Sequence, residues 1–134
     1  MFGKPPAKIL VVDDEPDIRQ LVKMRLELKK YEVLTADNGE TAMAIAQAAQ
    51  PDLILMDCIM PGQNGFSVCK QLKDTQSTKH IPVIFLTAKG RQDDILQGTF
   101  AGGAAYLTKP FDPQQLLKTI DHVLADTRQR HGLT

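Results

Sequence analysis

The residues best suited to chemistry sit at or just past the ends of apolar runs. Asp13 and Asp14 follow residues 8–12, Asp57 follows 53–56, Thr87 follows 82–86, and Lys109 lies just beyond 104–107. If these runs lie side by side, three carboxylates, a hydroxyl and an ammonium meet at one edge. Two carboxylates ~4 Å apart repel by about 4 kcal/mol at an effective dielectric of ~20. Three of them call for a cation. A hard divalent ion with oxygen ligands fits, and Mg2+ typically takes one or two carboxylates, waters and a phosphate. The lysine is then poised to meet an incoming anion. Such a set suits phosphoryl transfer onto a carboxylate, with positioning and charge neutralisation as the catalysis.

The pattern along the chain supplies elements to position them. Residues 8–12 are β-branched and apolar and read as a first strand. A helix follows from Pro16, proline being tolerated in a first helical turn, with Ile18, Leu21, Val22 and Leu26 on one face. Residues 32–36 read as strand 2, Asp37-Asn38-Gly39 as a turn and helix cap, and alanine-rich 41–50 as helix 2, ended before Pro51. Residues 53–56 are apolar without alternation, as in a strand covered on both faces. Pro61-Gly62 and Asn64-Gly65 read as a loop, and 66–74 as helix 3. Strand 4 is 82–86, and 91–100 is a weakly patterned fourth helix interrupted by Gly98. Strand 5 is 104–107. Asp112-Pro113 caps a fifth helix whose Leu116, Leu117, Ile120, Val123 and Leu124 face the core. Five strands alternating with five helices demand right-handed crossovers, hence an α/β fold with a doubly wound parallel sheet. In such a sheet ligands bind beyond the carboxyl ends of the strands.

Composition narrows the classes. The 134 residues make one domain, read as 8–126, with a flexible N-terminus (1–7) and a C-terminal tail (127–134). Sixteen basic residues balance sixteen acidic ones, which argues against nucleic acid as a direct partner. Cys58 and Cys69 are too few for a disulfide scaffold. Cys58 should point away from Asp57 into the core. His80, His122 and His131 lack metal-ligand spacing. No apolar run is long enough to span a membrane and the first residues have no signal-peptide core, so a cytoplasmic location without membrane contact is expected.

Taken together, Asp13-Asp14, Asp57, Met60-Pro61, Gly65, Thr87-Ala88 and Lys109-Pro110-Phe111 resemble the receiver domain of bacterial two-component response regulators, in the manner of a single chemotaxis-type receiver. The resemblance covers about residues 7 to 126. It implies a flavodoxin-like sheet of order 2-1-3-4-5 and a phosphoacceptor switch, not an enzyme with a turnover substrate. By position, Asp57 is the implied nucleophile. Asp14 would bind Mg2+ directly (Mn2+ could substitute), Asp13 mostly through water, and the Ile59 backbone carbonyl would be a further ligand. Thr87 and Lys109 would hold phosphoryl oxygens, and small Ala88 would keep the mouth open. Tyr106 matches a switch aromatic, and the Lys109–Pro110 bond is expected to be cis. Ile59 and Lys89 would flank the path of hydrolytic water, and neither can act as a base toward it at neutral pH. The implied partners are a histidine kinase or histidine phosphotransfer protein, and a downstream protein bound by the face of helix 4, strand 5 and helix 5.

Departures and rivals deserve weight. Ala104 and Ala105 replace acids common before the switch aromatic, so the dimer that those acids help to build is not expected and a monomer is. With no length left for an effector domain, output through protein contact is expected. The acidic run Asp13 to Asp17 also suits a solvated helix start. A phosphatase of the haloacid dehalogenase type needs a second acid where Ile59 stands, and a dinucleotide-binding domain needs a glycine-rich turn where Asp13-Asp14-Glu15 stands. A pseudo-receiver usually lacks the acidic pair, the acceptor or the lysine, and all are present.

Overall fold

Residues 53–57 form the central strand of a parallel sheet, as an apolar run without alternation requires. The computed structural model describes residues 6–88 and 101–132, apart from the side chains of 87, 88 and 128–132. Its strands are β1 (Lys8–Val12), β2 (Glu32–Ala36), β3 (Leu53–Asp57), β4 (Ile59–Met60), β5 (Gln63–Asn64), β6 (Val83–Ala88) and β7 (Ala105–Lys109). Its helices are α1 (Pro16–Leu28), α2 (Gly39–Ala49), α3 (Gly65–Asp74) and, labelled here α4, Pro113–Gly132. The main sheet has five strands in the order β2-β1-β3-β6-β7, every pairing parallel. Without the short β4–β5 hairpin this is the expected 2-1-3-4-5 order.

Alternate residues of each strand feed opposite faces. Ile9, Val11, Leu53, Leu55, Ile84 and Leu86 pack with Val22 and Leu26 of α1 and with Leu116, Ile120, Val123 and Leu124 of α4. Leu10, Val12, Ile54, Met56, Val83 and Phe85 pack with Ala42 and Ala46 of α2 and with Phe66, Val68, Cys69 and Leu72 of α3. Cys58 joins this second core, as its position past Asp57 suggested. Among the described residues no helix is long and apolar enough to cross a membrane.

Several expectations need correction. Leu21 is 46% exposed rather than core-facing. The buried line on α1 runs through Ile18, Val22 and Leu26, spaced by four, and Leu21 lies beside it. The predicted loop after Asp57 contains an antiparallel hairpin, Ile59 opposite Asn64 and Met60 opposite Gln63, around the Pro61-Gly62 turn. Gly62 has φ +69°, which a type II turn needs at that position. α4 runs on to Gly132. The predicted helix over 91–100 lies outside the described residues.

Candidate functional site

The strands of the main sheet all run in one direction, so their carboxyl ends lie at one edge, and β1, β3 and β7 deliver their polar residues there. Asp13 follows β1 and is fully buried. Its amide donates to the Ala36 carbonyl at the end of β2 (3.2 Å), and its Oδ1 accepts the Glu15 amide (3.0 Å). Arg19, in the first turns of α1, donates from Nη1 to the Asp13 carbonyl (2.8 Å). Asp57, the last residue of β3, is buried, and its Oδ1 accepts the Ile59 amide (3.3 Å). Asp13, Asp14 and Asp57 can each offer an oxygen within 4.8 Å of the others.

Lys109 ends β7 and reaches across this cluster. Its Nζ lies 2.7 Å from Asp13 Oδ2, 3.3 Å from Asp57 Oδ2 and 3.6 Å from Glu15 Oε1. Burial alone would lower the lysine's pKa. The hydrogen bond and charge of Asp13, with those of Asp57, outweigh burial and raise it. Burial pushes Asp57 up, from 3.8 to about 6. The Asp13 charge adds to that rise, while Lys109 and the Ile59 amide oppose it. Among the described residues one ammonium meets three carboxylates, so the acids outnumber it and offer oxygen donors. That donor set fits a hard divalent cation, with Asp13, Asp14 and Asp57 able to hold it.

The other predicted residues divide into three groups. Ile59 is 48% exposed, two residues beyond Asp57. Tyr106 is half-buried on β7 and stacks on Phe85 at 5.9 Å, and Lys109–Pro110 is cis. Thr87 and Ala88 are placed as backbone, opposite Thr108 and Lys109, but their side chains lie outside the description, as does the whole of Lys89. Sequence reasoning missed Glu15 and Arg19 as neighbours of Asp13. Their place in the first turns of a helix entered straight from Asp14 was the available signal. It also missed Gln63, whose Oε1 accepts the Gly39 amide at 2.6 Å. Nothing local announces a contact across 24 residues.

Residues 9–121 match the family described as the response regulator receiver domain. The chain is 43% identical over 127 residues to the phosphate regulon transcriptional regulatory protein PhoB of Pseudomonas aeruginosa, covering 95% of this chain and 54% of PhoB. It therefore spans about half the length of that relative. It is 44% identical over 119 residues to protein PilH of the same organism, covering 89% of this chain and 98% of PilH. Chemotaxis response regulator CheY4 of Vibrio cholerae superposes with TM-score 0.82 at 39% identity, covering 88% of this chain and 98% of CheY4.

Proposed function

The chain belongs to the response regulator receiver domain family, whose members are phosphoacceptors in two-component signalling, and on that premise we propose that Asp57 is the residue it phosphorylates. One observation carries this reading. Asp57 closes a buried strand with Asp13 and Asp14 around it and Lys109 3.3 Å away. In the reaction an Asp57 carboxylate oxygen attacks the phosphorus of a phosphohistidine. The P–O bond forms, the P–N bond breaks, and the imidazole nitrogen keeps the electron pair. The donor is a histidine kinase or a histidine phosphotransfer protein.

Asp13, Asp14, Asp57 and the Ile59 carbonyl would hold Mg2+, or Mn2+ in its place, with Asp14 as the direct ligand and Asp13 acting mostly through water. When bound, the ion supplies charge neutralisation for the phosphoryl oxygens. Lys109 then exchanges carboxylate partners for a phosphoryl oxygen, and the Thr87 hydroxyl takes another. Ala88 leaves the mouth of the site open. The only catalysis is of the domain's own phosphorylation and dephosphorylation. Ile59 and Lys89 give the attacking water no base, which makes the intrinsic loss of phosphate slow. The phosphorylated unit, residues 8–126, acts in the cytoplasm as a monomer. It signals by a protein contact through the face of β7, α4 and the segment before β7, with Tyr106 as the moving aromatic. It contacts neither nucleic acid nor membrane directly.

Intact mass after incubation with a small phosphodonor tests the proposal. Wild type should gain one phosphate in Mg2+ and none in chelator, and Asp57→Asn should gain none. A gain that persists in chelator, or survives the substitution unchanged, would refute it.

A further inference from the structure

The hairpin that follows Asp57 is tied to the rest of the molecule at two places. At its base, the Gly65 amide donates to the Cys58 carbonyl (2.8 Å), and Asn64 Oδ1 accepts the Phe66 amide (2.8 Å) to cap α3. Toward its tip, Pro61 and Gly62 are exposed, and a Cβ built on Gly62 would meet nothing within 4 Å. Between base and tip lies Gln63, half-buried and paired with Met60. Its side-chain oxygen accepts the Gly39 amide at 2.6 Å. Gly39 is the first residue of α2, where a backbone N–H has no partner within the helix. Asn38 Oδ1 takes the Thr41 amide and Gln63 takes that of Gly39, so the hairpin supplies part of the helix cap. Gly39 leaves room for this bond. A Cβ there would stand 2.5 Å from the Gln63 amide group.

This contact closes a ring around the acidic edge. Asp13 is bonded through its amide to Ala36, and residues 36–39 lead to the Gly39 amide. Gly39 is bonded to Gln63 on β5, β5 pairs with β4, and the Ile59 amide of β4 bonds Asp57 Oδ1. Lys109 completes the circuit between Asp57 and Asp13. We infer that Gln63 is a positioning residue for the acidic site: by capping α2 at Gly39 it fixes the hairpin, and so the Ile59 backbone that faces Asp57. Among the described residues the hydrogen bond of Gln63 goes to Gly39 and not to a carboxylate. Its effect passes through the Gly39 bond on one side and the β4–β5 pairing on the other. The argument parallels the orientation of metal ligands by groups that do not themselves touch the ion. Its metal arm rests on the proposed cation site, while the geometric core does not.

The test is amide hydrogen exchange at Gly39 and Ile59 in the chelator-treated protein, with Mg2+ titration alongside. Gln63→Ala deletes the acceptor, Gln63→Glu keeps it, and Gly39→Ala removes its space. The expected result is several-fold faster exchange at both amides in Gln63→Ala and in Gly39→Ala, with wild-type protection in Gln63→Glu. Mg2+ affinity should fall about three- to tenfold in Gln63→Ala, below the range typical where a supporting group contacts a ligand directly. Gly39→Ala provides the same reading if Gln63→Ala folds poorly. Faster exchange confined to Gly39, with Ile59 and the Mg2+ affinity as in wild type, would overturn the inference. So would failure of Gln63→Glu to restore Ile59. If wild type binds no Mg2+ but Ile59 protection still follows Gln63, the cation reading fails and the positioning role stands.

Discussion

Asp57 is buried beside Asp13, and both facts oppose its ionisation. Its folded-state pKa, about 6, lies above the 3.8 of an ordinary aspartate. The folded protein therefore binds this proton more tightly than the unfolded chain. The resulting stability is complete below the unfolded value, falls as pH rises through the folded one, and is flat above it. The loss amounts to at most about 3 kcal/mol. Asparagine resembles the neutral acid, so metal-free Asp57→Asn should be more stable than wild type by about 1–3 kcal/mol at about pH 8. The advantage should vanish near pH 4. Urea denaturation in chelator across this range checks the prediction, and a difference that does not change with pH contradicts it. Lys109 binds carboxylate oxygens of Asp13 and Asp57, two of the three residues that could hold a cation. Lys109→Met should therefore tighten Mg2+ binding severalfold while slowing phosphotransfer, which separate titration and mass measurements resolve. These residues were readable in sequence because each ends an apolar run. Arg19 and Gln63 were not, because their partners are backbone groups that only the folded chain brings near.

The hairpin and the start of α3 determine how closely the backbone approaches Asp57. A Cβ on Gly65 would overlap the Asp57 carbonyl oxygen, a backbone atom that cannot swing aside. Gly65→Ala should cost about 2–3 kcal/mol, as overpacking of a tight contact does. It should also weaken Mg2+ binding, because relief requires moving the end of β3. Denaturant unfolding and metal titration read the two effects. Parallel strands were evident from unbroken apolar runs, whereas helix faces were less so. α1 carries Leu21, Met24 and Leu28 on a second, exposed line, 46%, 53% and 73% exposed. Apolar spacing alone does not say which of two such lines meets the sheet. The hairpin escaped notice because Pro61-Gly62 and Asn64-Gly65 read equally well as loop, and two-residue strands carry no periodicity.

The sheet separates two cores and gathers the acids at one edge, where β6 and β7 also end side by side. Tyr106 stacks on Phe85, which in turn meets Phe66 at 4.7 Å, giving the aromatic a packed resting position. A phosphoryl group shifts the population of any alternative only by its preference for that state. We propose that Thr87, by holding a phosphoryl oxygen, connects phosphate to Tyr106. Thr87→Ala should keep Asp57 phosphorylation largely intact while reducing the phosphorylation-induced amide shifts of β7 and α4. Equal shifts in the variant and wild type would break that route.

Reductive trapping of the phosphorylated protein addresses the acceptor itself. Borohydride reduces an aspartyl phosphate to the alcohol, leaving homoserine at the modified position for peptide sequencing by mass spectrometry. After phosphotransfer from a phosphohistidine kinase in Mg2+, homoserine should be found at position 57 and not at 13 or 14. Homoserine at either of those positions, or a phosphate stable to this reduction on another residue type, would contradict the assignment of Asp57 as the acceptor.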